Sequence, residues 1–150
     1  MTWDYIDFED AVAADGLRMT VVSQVPSPWG EAAKGIFHVK DLNWSAVRLD
    51  AANRDMTKWA RSASAPTVFN GKEPPRSGWV DILLLAERLA PTPALLPADP
   101  MDRALALGMA HELCGENGLG WARRLHLTHL GLNGQGGFVE PVAQYLAAKY

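Results

Sequence analysis

Ser27 stands directly before Pro28, and the apolar and aliphatic positions after it, Ala32, Ala33, Ile36, Phe37 and Lys40, recur at helical spacing. Proline is tolerated in the first helical turn, so the pattern predicts a helix beginning at Pro28 with Ser27 at its entrance. A hydroxyl in that place has two uses. It can cap the helix, or it can donate a hydrogen bond to an anion, which the helix dipole also favours. Ser77 offers a similar choice ahead of Val80, Leu83, Leu84, Ala86 and Glu87, where an amphipathic helix capped by Ser77 is expected. The free N–H groups of such a helix start suit a carboxylate.

The remaining reactive residue types exclude more than they suggest. His111-Glu112 would open a zinc helix only with a second histidine four residues on, and Gly115 stands there. His126 and His129 lack the carboxylate or cysteine cluster that completes a ligand set, so no metal is expected. Cys114 is the sole cysteine, sits in an apolar helix and reads as a small hydrophobe without any Cys-x-x-Cys partner. Asn133 to Gly137 lacks the strand before and helix after that a phosphate loop needs, and reads as a connection. Trp29 and Trp79 stand beside Ser27 and Ser77, either as ligand flanks or as core.

These groups must be positioned by the elements around them. Asp7 to Ala14 reads as a short helix with acidic first-turn residues, and Met19 to Val22 as a strand that enters the Ser23 to Pro28 turn. A second strand is expected at Ser45 to Leu49, a short irregular helix within Asp50 to Ala63, and a third strand at Ser64 to Phe69 before the turn pair Asn70-Gly71. Pro74 and Pro75 restrict any strand that follows to an edge. Four prolines in residues 90–100 mark a linker, after which helices are expected at Met101 to Leu113, Leu119 to Leu130 and Glu140 to Lys149.

Composition sets the class. With 48% hydrophobic and 21% charged residues the chain is no disordered segment, and at 150 residues it has material for a core. Neither a signal peptide nor an apolar run of about 18 residues is apparent, so a soluble cytoplasmic protein without a membrane partner is expected. Basic residues are scattered rather than striped, which argues against nucleic acid. Asp4, Asp7, Glu9, Asp10 and Asp15 precede any cation, leaving twelve acidic against fourteen basic groups in the remainder, formally +2. That acidic leader reads as a solvated short helix, a partner-binding tail or a segment lying on the basic body.

Taken together, a strand, a helix behind Ser27-Pro28, a proline-led strand, a helix behind Ser77, a proline-rich linker and then helices resemble the glutathione S-transferase family. Three stretches carry the resemblance. Met19 to Trp29 is similar to the family's first strand and its Ser-Pro-Tyr or Cys-Pro-Phe turn, which implies Ser27 as the catalytic residue that donates to the glutathione sulfur. Ser64-Ala65-Pro66 looks like the residues leading into the family's cis-proline. It implies that the Ala65 backbone pairs with the cysteinyl unit and that Ser64 touches the tripeptide. Arg76-Ser77 is similar to the pair that holds the γ-glutamyl group, with Ser77 and the helix start on its carboxylate. There the family has an acidic residue or glutamine where this chain has Arg76, a cation that would repel the γ-glutamyl ammonium unless Glu73 compensates.

Behind the acidic leader of residues 1–16, which lies outside the family's usual plan, the resemblance implies a thioredoxin-like glutathione-binding domain over 17–90, a linker over 91–100 and a partial all-helical domain over 101–150. It further implies glutathione as co-substrate, a small hydrophobic electrophile as second substrate, and a pocket wall that includes Trp29, Met109, His111, Cys114 and Trp121. The helices after the linker fall short of the family's usual domain. The chain is therefore expected to be a fragment or to cover those apolar faces in a homodimer. A non-catalytic interaction or dimerisation module on the same fold is the other expectation.

Overall fold

The computed structural model describes residues 4–22 and 27–149. The Ser23 to Pro26 part of the expected turn lies outside them. The chain divides into two compact units, Met1–Pro97 and Ala98–Tyr150.

The first unit contains α1 (Phe8–Ala13), β1 (Leu17–Val21), α2 (Pro28–Val39), β2 (Ser45–Arg48), α3 (Arg54–Ala60), β3 (Thr67–Asn70) and α4 (Trp79–Leu89). The strands form a mixed sheet in the order β2-β1-β3. β1 runs parallel to β2 and antiparallel to β3, with Met19 opposite both Ala46 and Val68. A parallel neighbour requires a crossover, and α2 is that crossover. This small mixed sheet with helices is a thioredoxin-like domain.

Strand alternation divides the side chains between two layers. Met19, Val21, Ala46 and Val68 point to one face, where Ala33 and Phe37 of α2 and Ile82, Leu85 and Ala86 of α4 complete a buried core. On the other face Val47 packs with Ala11 of α1 and Met56 of α3, flanked by Ile6, Phe8, Leu49 and Trp59. There the Trp59 ring stacks on Phe69 at 3.6 Å, and Phe8 meets Trp59 edge-on at 5.7 Å. Such aromatic pairs add about 0.5–1.5 kcal/mol beyond the area they bury.

Part of the acidic leader is built into this unit. Ala46 donates to the Asp4 carbonyl at 2.9 Å and accepts from the Ile6 N–H at 3.0 Å, so Tyr5 bridges the outer edge of β2 in parallel. Arg18, buried in β1, then fastens the segment after α1. Its guanidinium donates to the Ala14 carbonyl and, at 3.0 Å, to the Gly71 carbonyl, while Gly71 donates to the Asp15 carbonyl at 3.1 Å. Burial pulls the Arg18 pKa below the usual guanidinium value, with the charge of Asp15 opposing it.

Lys40 closes α2 over the chain that leaves α4. Its side chain is wholly buried and its ammonium donates to the Ala90 carbonyl at 2.8 Å and the Pro93 carbonyl at 2.6 Å, besides pairing with Glu87. Glu87 also accepts from the Leu95 N–H at 2.8 Å.

The second unit comprises α5 (Pro100–Cys114), α6 (Leu119–Leu132) and α7 (Glu140–Lys149). Asp99 caps α5 by accepting from the Met101 and Asp102 N–H groups at 2.9 and 3.0 Å. α6 and α7 pack closely through Gly131, where an added Cβ would stand 2.2 Å from the Phe138 carbonyl oxygen. Among the described residues no helix is long and apolar enough to cross a membrane.

Candidate functional site

Strand register brings the two serines and the proline to one end of the sheet. Ser27 opens α2 after β1 has ended at Val21. Thr67 lies opposite Thr20 near that same end, so Ala65 and Pro66, just before β3, lie there too. The chain then turns back. Arg76 bridges Val68 in antiparallel register, and its N–H and C=O bond to those of Val68 at 2.9 and 2.8 Å. Ser77 and Gly78 consequently return towards the Pro66 end, where α4 starts.

Ser27 is 9% exposed and accepts the Gly30 N–H at 3.4 Å, an N-cap geometry in which its backbone is extended and Pro28 occupies the first helical position. Among the described residues its hydroxyl makes no other hydrogen bond. The cap uses a lone pair of the oxygen, so the hydroxyl proton is left to donate. The start of a 12-residue helix adds a favourable dipole for negative charge at that oxygen's neighbour.

The Ala65–Pro66 peptide is cis. Three hydroxyls hold the segment around it. The Ser64 carbonyl accepts from Thr67 Oγ1 at 3.3 Å and Ser62 Oγ at 3.2 Å, and Ser62 Oγ accepts the Ser64 N–H at 3.0 Å. Thr20, fully buried in β1, accepts the Thr67 N–H at 3.0 Å and thereby ties the segment to the central strand. Against this fixed frame, the N–H and C=O of Ala65 have no partner among the described residues. An extended peptide placed beside Ala65 would find one free donor and one free acceptor. The hydroxyl frame could not be read from the sequence, although the density of Ser and Thr from Ser62 to Thr67 was its only signal.

At α4 the structure corrects the expected cap. The N-cap residue is Gly78, whose carbonyl accepts the Ile82 N–H at 3.0 Å, and no side chain caps the helix. Ser77 is exposed one residue earlier. Val80 and Leu83 suggest a helix from Ser77 onward, but the Arg76 bridge keeps the chain extended through Ser77 and Gly78, delaying the helix to Trp79.

Arg76 is also placed differently from a cation facing a ligand. Its guanidinium donates to Glu73 at 2.7 Å and to the Pro74 carbonyl at 3.3 Å. Glu73 also accepts from Arg88 at 2.6 and 2.8 Å and from the Asn70 amide at 2.6 Å. Arg88, Asn70 and Arg76, in that order, hold the Glu73 carboxyl down to about 2. Glu73 thus does compensate Arg76. The remaining acidic group near this helix start is Asp81, which sequence reasoning passed over because nothing in its spacing distinguishes it from a solvated first-turn acid.

Trp29 and Trp79, both partly buried, occupy the first turns of α2 and α4. Of the other expected pocket residues, Met109, His111 and Cys114 lie on α5 and Trp121 on α6, all in the second unit. Met109 is 72% exposed and Cys114 is partly buried. Among the described residues no group of three or more His, Cys, Asp and Glu could hold a metal ion.

The sequence matches no family model and no curated protein. The structure does match solved ones. A glutathione transferase homologue from Burkholderia with bound glutathione superposes with a TM-score of 0.56 at 21% identity, covering 66% of this chain and 56% of its own. A homologue from Sulfitobacter, also with bound glutathione, gives 0.58 at 15% identity over 91% and 64% of the two chains. The Tau class glutathione S-transferase of mango, Mangifera indica, gives 0.58 at 18% identity over 91% and 58%. This chain spans less than two thirds of the length of each of these proteins. At such identities the likeness establishes the fold, which is the glutathione transferase fold: a thioredoxin-like domain followed by a helical one.

Proposed function

We propose that the protein binds glutathione at the sheet end defined by Ser27, Pro66 and Gly78, and activates its thiol for conjugation to a small hydrophobic electrophile. In this reading residues 17–90 are the glutathione-binding domain, 91–100 the linker, and 101–150 a partial all-helical domain. The observation that carries the proposal is the hydroxyl proton of Ser27 at the start of α2, which has no acceptor among the described residues. A thiolate needs a donor and a positive local field, and this position offers both. The N–H and C=O of Ala65, without partners among the described residues, support it, since they would align the cysteinyl unit as a short added strand, with Ser64 and Ser77 on the two ends of the tripeptide.

Chemically, Ser27 attacks nothing. It stabilises the sulfur anion, the tripeptide brings that anion to the electrophile, and the carbon–sulfur bond forms as the leaving group departs with its electron pair. The gain is proximity plus electrostatic stabilisation. A cytoplasmic location, with its pool of reduced glutathione, goes with this reading. Isothermal titration with glutathione tests it directly, and absence of binding at millimolar concentration would sink it. With an activated aryl chloride as electrophile, Ser27→Ala is expected to lower turnover by about 10²–10³-fold, as for loss of a single anion-stabilising donor.

A second reading has an observation of its own. Met101, Leu105, Met109 and Leu113 recur every four residues along α5 and are 69%, 65%, 72% and 49% exposed. Such a stripe favours a dimerisation or docking module on the same fold, homodimeric in the simplest case. Native mass spectrometry separates the two readings: an assembly without glutathione affinity supports the module alone.

A further inference from the structure

We propose, resting on the glutathione reading for the ligand, that the segment before β1 is a strap that holds the Ala65 edge in place, with Phe8 as the positioning residue through which it acts. The carboxylates of this leader, Asp4, Asp7, Glu9, Asp10 and Asp15, are exposed. Its apolar residues are not. Ala11 is fully buried, and Ile6 and Phe8 pack with it against Val47 of β2 and Met56 of α3. Both ends of the segment are tied to the sheet. At one end it joins the outer edge of β2 through the Tyr5–Ala46 bridge, and the Arg48 guanidinium lies 4.9 Å from the Tyr5 ring. At the other, Arg18 of the central strand donates to the Ala14 carbonyl, and Gly71, just past β3, donates to the Asp15 carbonyl at 3.1 Å. The leader therefore crosses from the edge of β2 to the turn behind β3, on the face of the sheet that also carries α3.

α3 depends on that company. Its seven residues are too few for a helix that stands on its own, so what it packs on sets its place. Trp59 lies between two rings, stacked on Phe69 of β3 at 3.6 Å and met edge-on by Phe8 at 5.7 Å. Phe8 is thus the leader's direct hold on Trp59. From α3 the path to the site is short. The Ser62 N–H donates to the Thr57 carbonyl at 3.2 Å, and the Ser62 hydroxyl bridges the N–H and carbonyl of Ser64, the residue before Ala65. Ala65 lies six residues after Trp59 and four before Phe69, inside the loop whose ends the ring stack joins. Loosening Phe8 frees Trp59 and α3 to shift, and with them the N–H and C=O on which an added strand would dock.

Amide exchange in the 150-residue chain, read by NMR, tests the strap with and without ligand. In the free protein Phe8→Ala is expected to speed exchange of the Ser64 and Thr67 amides, which the hydroxyl frame protects, by about two- to tenfold, the range of one lost aromatic contact. The amides of α2 and α4 should keep their rates, and Phe8→Tyr, which keeps the ring, should restore those of Ser64 and Thr67. Linkage supplies a readout that a merely structural contact would not move. If the leader and the Ala65 edge open together, glutathione at about ten times its dissociation constant slows exchange of the Ile6 and Ala46 amides, the leader's ties to β2, by up to about tenfold. In Phe8→Ala it does not. Unchanged Ser64 and Thr67 rates in a folded Phe8→Ala, or wild-type leader amides indifferent to bound glutathione, overturn the strap and leave the glutathione reading standing. Failure of the wild type to bind glutathione overturns that reading, and the ligand-free rates then decide the strap alone. Should Phe8→Ala not fold, Ile6→Pro, which removes the N–H that ties the leader to the Ala46 carbonyl, takes its place with the same expectations, read at Ser64, Thr67 and Ala46.

Discussion

Replacing Lys40 by Met tests whether the contact between α2, α4 and the segment after α4 is as dry as it looks. Lys40 has a side chain 0% exposed and Glu87 one that is 15% exposed. Three partners satisfy the ammonium: Glu87 and the carbonyls of Ala90 and Pro93. Methionine keeps most of the stem's volume but leaves the Glu87 carboxylate half-answered, with only the backbone of Leu95 and Leu96, and orphans two carbonyls. Removing one member of a buried ion pair costs about 3–5 kcal/mol, a large share of the roughly 5–15 kcal/mol that holds a domain together. At about 2–4 °C per kcal/mol, the melting temperature should fall by roughly 6–20 °C. Urea unfolding followed by tryptophan fluorescence gives the free energy, and limited proteolysis should show new cleavage between Ala90 and Leu96. Adding Glu87→Gln removes the uncompensated charge while keeping an acceptor for Leu95, so the double variant should regain part of the loss. The pH profile supplies a sign. Burial pushes the Glu87 carboxyl up, but the hydrogen bond from Lys40 and those from the Leu95 and Leu96 backbone outweigh it and hold it below its ordinary value. Its stabilisation is thus complete above the usual carboxylate range and is lost as pH falls through the lowered value. Lys40→Met leaves burial dominant and should abolish that acid-side loss. A cost under about 1 kcal/mol, with unchanged acid behaviour, would refute the reasoning, because it is the range of a solvated pair.

Glu73→Gln should flatten the stability profile on the acid side: the wild-type contribution is full above the ordinary carboxylate range and disappears as pH falls towards about 2, which thermal melts across that interval would show. Two glycine substitutions should move in opposite directions in urea melts. Gly35→Ala, exposed in α2 with nothing within 4 Å of the new Cβ, should stabilise by about 0.5–1 kcal/mol. Gly131→Ala gains the same propensity but sets its Cβ against the Phe138 carbonyl, so a net loss of about 1–3 kcal/mol is expected.

Local signals in the sequence led to most of the elements, because each rests on neighbours in the chain. Pro28 at a helix start and the Asn70-Gly71 turn are both short-range chemistry, and they mark α2 and the end of β3. The leader shows the limit. Its acidic residues read as solvated, and they are exposed, but the segment's place is set by Ala11, Ile6 and Phe8 against Val47 and Met56, contacts some forty residues away. No periodicity within ten residues can announce an edge bridge to Ala46. Buried polar groups failed for the same reason: Arg18 and Lys40 carry the ordinary marks of surface residues until the carbonyls of Gly71, Ala90 and Pro93 are brought to them.

At the candidate site the same distinction decides which inferences survive contact with the structure. The place of Ser27 depends on Pro28 and the helix behind it, so its cap geometry was legible from three adjacent residues. The electrostatics around Ser77 were not, because they depend on where long side chains go. Arg76 and Glu73 are three apart, yet the direction of the guanidinium is settled by Arg88, fifteen residues from Glu73, and by the bridge to Val68 that points the hairpin down the helix. Charge at a helix start is therefore a property of the fold rather than of the tripeptide around the serine. A cation at a helix start need not face a ligand there when the fold draws it onto a carboxylate, as Glu73 draws off Arg76.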